Sequence, residues 1–191
     1  MTKSVFVAEP SDMSAIAAIM DKGFHSDPTV IWASSTEKDF LSLHHKFVEV
    51  CARPAFERGC VHALSDFAGA AIWYPPGVGI DESELATVFK TASRPERIEE
   101  FFQLLEACEQ YRPAEPYWEL ELISIDPMLQ GQGFGATLLE HGLAICDGEG
   151  APVYLESSNP ANLSFYRRHG FELLAEVQLP GSPKRFPMLR K

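Results

Sequence analysis

The segment with the clearest chemical potential is Gln-Gly-Gln-Gly-Phe-Gly-Ala at residues 130–136, which follows a largely apolar run. The first N–H groups of a helix have no partner within the helix, and the helix dipole gives them partial positive charge. Glycines permit unusual φ angles and let a ligand approach the backbone closely. A strand, a glycine-rich turn and a helix in this order predict a cradle for a diphosphate group. The alternative is a β-α turn that holds no ligand.

A dinucleotide-binding site is a competing interpretation of the same turn. Gly131-x-Gly133-x-x-Ala136 fits a loose form of that pattern, and Glu156 follows about 20 residues later. A dinucleotide fold normally begins with this unit and continues with further strand-helix pairs. Here the turn comes late, after a hairpin, and one more pair follows it. The order of elements therefore disfavours a dinucleotide site.

The cysteines and histidines do not suggest metal chemistry. The cysteines lie in apolar or helical segments without a C-x-x-C pair, which indicates reduced thiols in the core; they are Cys51, Cys60, Cys108 and Cys146. His44 and His45 are adjacent, so on a helix they point about 100° apart, whereas zinc pairs prefer i, i+4 spacing. We expect no metal site.

The elements that must hold the glycine-rich turn alternate between strands and helices. The predicted strands are Ser4–Ala8, Cys60–Leu64, Phe67–Tyr74, Tyr117–Ile125, Val153–Ser157, Phe171–Leu179 and Phe186–Arg190. The predicted helices run from Ser11 to Phe24, from Glu37 to Arg58, from Gly133 to Cys146 and from Asn159 to Gly170, with a loop at 25–35 and a helical insertion at 81–112. A hairpin joins early strands and helices join later ones. This pattern predicts an α/β (α+β) fold, with a mixed sheet of about 6–7 strands and helices on both faces.

Composition limits the classes of partner. The chain has 191 residues, which fits one domain at 1–191, and a formal net charge of −11. That charge makes nucleic acids and anionic membranes poor partners and suits a cationic substrate better. No run approaches the roughly 18 apolar residues of a membrane span, and no signal-peptide pattern begins the sequence. We therefore expect a cytoplasmic location.

Two motifs together resemble the Gcn5-related N-acetyltransferase (GNAT) superfamily. Gln130-x-x-Gly133-x-Gly135 is similar to the Q/R-x-x-G-x-G/A signature of that family. Residues 154–171 resemble its fifth strand and the region N-x-x-A/S-x-x-x-Y-x-x-x-G-F. The detailed resemblance covers about residues 118–173, and the element order agrees along the whole chain. The resemblance implies a GNAT fold with a helical insertion between strands 3 and 4. The start of the chain, with Phe24-x-x-Asp27-Pro28, is more weakly similar to the puromycin acetyltransferase-like branch.

The resemblance implies acetyl-CoA as the cofactor. Its pantetheine arm would enter a gap beside the strand that precedes the turn, where the main chain of Ile123 and Ile125 would bind it. The implied cofactor-binding residues are Ile123, Ser124, Ile125, Gln130, Gly131, Gln132, Gly133, Phe134, Gly135, Ala136, Asn159, Asn162 and Tyr166. Many relatives have Arg or Lys at Gln132, so this chain lacks one charge contact. Asn159 can alternatively be a simple helix cap.

The resemblance also implies the catalytic residues of an amine acetylation. Tyr166 matches the family tyrosine that protonates the departing thiolate, and its alternative is a packing role against the sheet. Glu119 and Glu121 are two apart on one predicted strand, so they share a face and could accept the amine proton directly or through water. We favour Glu121, although a bulge would reverse that choice. Their alternative is to attract a cationic substrate or to face solvent.

The acceptor is expected to be a small-molecule amine or a peptide amine. The candidate substrate-binding residues are Phe24, Asp27, Trp32, Trp73, Tyr74 and Glu119, and the tryptophans and the tyrosine could instead belong to the core. The predicted reaction is direct attack of the amine on the thioester in a ternary complex. A non-catalytic acyl-CoA-binding module is the alternative. Members of the family are often dimers, so the resemblance names a homodimer as a candidate assembly.

Overall fold

One mixed sheet organises the chain. A computed structural model describes residues 3–34, 36–89 and 95–191, apart from the side chains of Lys38 and Pro95. Within these ranges the strands are β1 (Val5–Val7), β2 (Val61–Leu64), β3 (Gly69–Tyr74), β4 (Trp118–Ile125), β5 (Val153–Ser157), β6 (Glu172–Leu173) and β7 (Phe186–Arg190). They lie in the order β1-β2-β3-β4-β5-β7-β6. Strands β4 and β5 are parallel, and the other neighbouring pairs are antiparallel. The predicted mixed sheet is confirmed.

Helices cover both faces of this sheet. Those in the described ranges are α1 (Met13–Phe24), α2 (Pro28–Ala33), α3 (Glu37–Phe56), α4 (Glu82–Phe89), α5 (Pro95–Glu109), α6 (Phe134–Glu149) and α7 (Leu163–Arg168). Helices α4 and α5 form the predicted insertion between β3 and β4, of which residues 90–94 lie outside the described part. No helix in the described ranges is long and apolar enough to cross a membrane.

Trp73 and Tyr74 show how the two faces are divided. Successive side chains of a strand point to opposite faces. The Tyr74 hydroxyl donates a hydrogen bond to the Cys51 carbonyl of α3 at 2.8 Å. Trp73 packs against Gly142 of α6, where an added Cβ would lie 2.3 Å from the indole ring. Helix α6 therefore sits close to the sheet on the face opposite α3.

The loop prediction for residues 25–35 is wrong in its middle. Helix α2 occupies Pro28–Ala33, and the Asp27 carboxylate accepts hydrogen bonds from the N–H groups of Thr29 and Val30. Asp27-Pro28 is thus an N-cap followed by proline at the first helical position, which starts a helix as effectively as it starts a turn. Ser35 lies outside the described residues.

The predicted strand Phe171–Leu179 is also too long. Strand β6 covers Glu172–Leu173, and one isolated bridge joins Val177 to Arg185. Val177 packs instead with Leu104 and Cys108 of α5. A helix, and not a longer strand pair, buries its apolar side chain. Apolar periodicity alone therefore predicted a strand that extends too far.

Candidate active site

The parallel strands β4 and β5 separate partway along their length. They pair from Trp118 with Val153 to Leu120 with Leu155, and β4 then continues to Ile125 without β5 as its partner. The gap opens onto a cavity of about 1450 Å³. Pockets for a single small ligand are usually about 300–1,000 Å³, so this cavity has room for two substrates at once.

The glycine-rich turn lies at one end of this cavity. Gly131 and Gly133 have φ values of 76° and 87°, which other residues adopt only with strain. Gly133 is the N-cap residue of α6, so the N–H groups of the next residues have no partner within the helix. An added Cβ at Gly131 or Gly133 would meet no atom within 4 Å. Space beside free N–H groups at a helix start is suited to an anion. We call this region the glycine end.

Most of the predicted cofactor-binding residues line the cavity. They are Ile123, Ser124, Ile125, Gln130, Gly131, Gly133, Gly135, Ala136, Asn159, Asn162 and Tyr166. Gln132 and Phe134 are not among the lining residues. Gln132 is exposed, and Lys3 Nζ lies 5.9 Å from the centre of the Phe134 ring. Those two residues could contribute backbone groups to the turn without their side chains.

Three predicted binding side chains already have internal partners, and the first is Gln130, whose Nε2 donates to the Ile125 carbonyl at 3.3 Å. The Ser124 hydroxyl donates to the Ile19 carbonyl at 2.9 Å. The Asn159 Oδ1 accepts from the Ala161 N–H at 3.0 Å, which is the cap that the alternative interpretation expected. Asn162 forms no such cap bond. Of the two asparagines, Asn162 therefore has the side chain more available to a ligand.

A β-bulge sets the directions of the two glutamates. Ile72 pairs with Leu122 and Trp73 pairs with Leu120, so Glu121 is an extra residue on β4. Such a bulge re-aims a side chain, and here both Glu119 and Glu121 line the cavity. The bulge therefore does not remove Glu121 from the site.

Buried charges separate the roles open to these glutamates. Arg112 Nη1 lies 2.6 Å from Glu119 Oε2, and its Nη2 lies 3.5 Å from Glu156 Oε1. Arg185 Nη2 lies 3.0 Å from Glu156 Oε2. Within the described residues Glu121 has no ion-pair partner. Arg112 Nε also lies 3.0 Å from Oε1 of the more exposed Glu109. Two guanidinium groups thus face four carboxylates, which leaves two excess negative charges when all are ionised.

The pKa of Glu121 reflects that isolation. Burial raises it from an ordinary value of 4.5 to about 8, and the neighbouring charge of Glu119 adds to the rise. Burial also raises the pKa of Glu119, but the Arg112 guanidinium opposes that rise. The Cys51 thiol lies 3.7 Å from Glu121 Oε1 and can donate to it, since burial raises the pKa of the thiol. Glu121 can therefore exchange a proton near neutral pH.

Tyr166 lines the same cavity from α7. Its side chain is buried, and within the described residues its hydroxyl has no hydrogen-bond partner. Burial, followed by the charge of Asp27, raises the pKa of the phenol above its ordinary value of 10. The hydroxyl therefore stays protonated at neutral pH and can donate to a group in the cavity.

Aromatic side chains form the other end of the cavity, which we call the aromatic end. They come from four separate helices and are Phe24, Phe47, Phe89, Phe101 and Phe102. Sequence reasoning did not single out Phe47 or Phe89 and placed Phe101 and Phe102 only within the helical insertion. An apolar helix face can pack on a core or line a cavity, and its periodicity is the same in both cases.

The structure corrects two predicted substrate-binding residues. Trp73 is fully buried against α6, on the face opposite the cavity, because the alternation of β3 directs it there. Trp32 does not line the cavity, and its ring lies 5.1 Å from the Arg97 guanidinium. Phe24, Tyr74 and Asp27 do line it. Asp27 also connects the start of α2 to the residues after β5, since it accepts a hydrogen bond from the Ser158 hydroxyl.

Known proteins share this arrangement. Residues 97–171 match the model of the Acetyltransferase (GNAT) family. An uncharacterized N-acetyltransferase of Schizosaccharomyces pombe is 27% identical over 94% of this chain and 78% of its own length. The solved structure of histone acetyltransferase HPA2 and related acetyltransferase from Corynebacterium glutamicum has a TM-score of 0.74 at 20% identity, over 100% of this chain and 96% of that one. The PaiA N-acetyltransferase of Thermoplasma acidophilum, solved with coenzyme A, has a TM-score of 0.62 at 14% identity, over 100% and 99% of the two chains.

The fold, the divergent strands and the glycine-capped helix agree with the fold of these solved acetyltransferases. Over residues 97–171 the chain is similar to the GNAT family, and along its whole length it shares the fold of solved acetyltransferases. The family model and the named relatives support acetyl transfer in general. The relation to the puromycin acetyltransferase-like branch stays a prediction.

Proposed function

We propose that the protein transfers an acetyl group from acetyl-CoA to a primary amine by direct attack in a ternary complex. The observation that carries this proposal is one continuous cavity, lined at once by the glycine-rich turn, by Glu121 and by Tyr166. Its volume accommodates a cofactor arm and an acceptor together. The name of a relative, a peptidyl-lysine N-acetyltransferase of Salmonella typhimurium, supports an amine as the acceptor.

The residues at the glycine end fit coenzyme A. The positive φ of Gly131 and Gly133 and the free space beside them suit a diphosphate held by backbone N–H groups. Ile123 and Ile125 lie on the part of β4 that β5 leaves unpaired, so their main chain would bind an amide-bearing arm. The Ile125 carbonyl already accepts from Gln130 Nε2 at 3.3 Å, which leaves its N–H for that arm. When bound, acetyl-CoA supplies an acetyl group activated as a thioester.

Glu121 is proposed as the proton acceptor. Attack by an amine requires the neutral amine, and a general base is most effective when its pKa lies near the working pH. Glu121 meets that condition with a pKa of about 8, and it forms no ion pair within the described residues. Glu119 is bound to Arg112 at 2.6 Å and is better suited to hold that arginine in place.

Tyr166 is proposed as the proton donor to the leaving sulfur. Its hydroxyl remains protonated at neutral pH because its pKa is raised, and it faces the cavity that Glu121 also lines. The buried Cys51 is not proposed as a nucleophile, since burial raises the pKa of its thiol and keeps it protonated. The mechanism therefore needs no covalent intermediate on the protein.

A two-part measurement tests this function. Calorimetric titration with coenzyme A is expected to show binding, and a panel of primary amines with acetyl-CoA is expected to release free thiol only when an amine is present. Absence of coenzyme A binding by the folded protein would refute the proposal. Binding without turnover of any amine would favour the non-catalytic module instead.

A further inference from the structure

A buried thiol contacts the proposed base from helix α3. Cys51 Sγ lies 3.7 Å from Glu121 Oε1, which is within hydrogen-bond distance for sulfur. Cys51 is fully buried and is not among the residues that line the cavity, whereas Glu121 does line it. The thiol therefore approaches the carboxylate from the protein interior and not from the side on which substrates would bind.

A second contact holds the backbone of Cys51 in place. The Tyr74 hydroxyl donates to the Cys51 carbonyl at 2.8 Å, and Tyr74 is itself buried. Tyr74 lies on β3 and pairs with Glu119, two residues before Glu121 on β4. The same two strands thus carry Glu121 and anchor the helix residue that contacts it. Because a cysteine side chain has a single heavy-atom torsion, this anchor restricts the thiol to few positions.

The two carboxylate oxygens of Glu121 have different surroundings. The contact with Cys51 is the one hydrogen bond that this side chain forms with the described residues. Oε2 has no partner among those residues, yet it is not one of the polar atoms that are both unpartnered and shielded from solvent. A molecule the size of water can therefore reach Oε2, which is the oxygen available to a substrate.

Other titratable groups surround Glu121 without forming a hydrogen bond with it. The charged ones come from β4, from β5 and from the segments before β4 and β7, and they are Glu119, Glu156, Arg112 and Arg185. The Tyr74 phenol of β3 also lies near Glu121 and stays neutral, because burial raises its pKa. The two arginines hold Glu119 and Glu156 in ion pairs. Among the described residues, the thiol alone therefore fixes the orientation of the Glu121 carboxylate.

We propose that Cys51 is a positioning residue for acetyl transfer, whose thiol holds Oε1 of Glu121 and so presents Oε2 to the acceptor amine. This inference rests on the proposed function and adds a residue to its proton-acceptor site. The thiol is a weak donor and can donate to the ionised carboxylate. A hydrogen bond to the charged form of a group favours that form, so the thiol also promotes the ionisation of Glu121.

The pH dependence of turnover tests this role. The wild-type rate should rise with pH through about 8, since Glu121 must be ionised to accept a proton. Cys51→Ala removes the donor, so the rising part of the kcat/KM profile should move to higher pH by about 0.5–1 unit. The rate at pH 7 should then fall by about three- to tenfold. Every variant is assayed with the same amine, so ionisation of the amine contributes equally to each profile.

Two further variants separate the thiol as a donor from the thiol as a packing group. Cys51→Ser keeps a donor of similar size, and a hydroxyl is a stronger donor than a thiol, so its profile should not move to higher pH. Cys146→Ala removes an equally buried thiol from α6, on the opposite face of the sheet, and should leave the profile unchanged. Circular dichroism and coenzyme A titration check that all three variants are folded.

The outcomes distinguish this role from the proposed function. An unmoved profile in folded Cys51→Ala, whether or not the rate falls, would assign Cys51 a packing role and overturn the inference. An equal shift in Cys51→Ser or in Cys146→Ala would overturn it too, because loss of the donor would then not be the cause. These results leave amine acetylation standing. No turnover of any amine by the wild-type protein removes the proposed function and the inference together.

Discussion

The two ends of the cavity are built from different parts of the chain. The glycine end offers backbone groups from one short segment, where positive φ angles at Gly131 and Gly133 expose the helix start. The aromatic end offers side chains from α1, α3, α4 and α5, which are far apart in the sequence. A backbone site depends on a local pattern of small residues, whereas a side-chain site depends on how distant helices pack.

This difference has a consequence for substitution. Nearly any side chain added at the glycine end obstructs the same phosphate group, so the effect should be large and independent of the acceptor. A substitution at the aromatic end should instead change which amine is used. The following predictions separate these behaviours, beginning with the largest effect.

Gly133→Val should nearly abolish coenzyme A binding. The side chain would occupy the open space beside the helix start and displace the phosphate from at least two N–H groups. Charge-assisted hydrogen bonds contribute about 1.5–3 kcal/mol each, so we expect a loss of roughly 1,000-fold in calorimetric affinity. Gly181→Val is the matched control, because Gly181 has a φ of 80° and equal space but lies outside the cavity. A folded Gly133→Val variant with wild-type affinity would contradict the assignment.

Glu121→Gln should lower kcat/KM by about 100-fold while coenzyme A affinity stays unchanged. The wild-type rate should rise with pH through about 8, because Glu121 must be ionised to accept a proton, and the variant should lose this dependence. If Glu119→Gln caused an equal loss of kcat/KM while Glu121→Gln kept the wild-type pH dependence, Glu119 rather than Glu121 would be the proton acceptor.

The same Glu121→Gln variant makes a prediction about stability. The folded protein favours the protonated carboxyl, because its pKa rises from 4.5 to about 8. This contribution is complete below 4.5 and is lost as the pH rises through about 8. Melting temperatures measured from pH 5 to pH 9 should therefore show the variant gaining on the wild type up to about pH 8, with a constant difference above it. A difference that is constant over the whole range would argue that Glu121 is ionised throughout.

Tyr166→Phe should reduce kcat by about 10-fold and change coenzyme A affinity little, because the hydroxyl donates only to the leaving group. The measurement is steady-state thiol release beside a calorimetric titration. Equal losses in kcat and in affinity would assign Tyr166 to binding rather than to proton transfer.

Gln132→Arg should give the smallest effect. Gln132 is exposed beside the turn, and an exposed charge pair contributes about 0.2–1 kcal/mol. Coenzyme A affinity should improve by about two- to fivefold at low salt, and the gain should fade as salt is raised because screening weakens such pairs. An improvement that does not depend on salt would indicate a contact other than charge.

The glycine end is one local segment, and its strand, turn and helix start could be predicted from the sequence. The aromatic end is formed by distant helices, and it could not. Periodicity predicted strand β5 with the bounds that the structure shows, Val153–Ser157. Glycine placement predicted a helix start at Gly133, one residue before α6 begins. The direction of Trp73 depends on the pairing register of β3, and the contact of His44 with Asp21 depends on the packing of α1 against α3. Neither strand register nor helix packing can be predicted from a local sequence pattern.

The separation of β4 from β5 after Leu120 gives the sheet an interior edge. An edge of unpaired peptide groups normally attracts another strand, and here an amide-bearing cofactor arm would take that place. A ligand that binds only the folded chain stabilises it by about 2.7 kcal/mol at 100 times its Kd. The folded chain would then resist unfolding and proteolysis better with coenzyme A bound than without it.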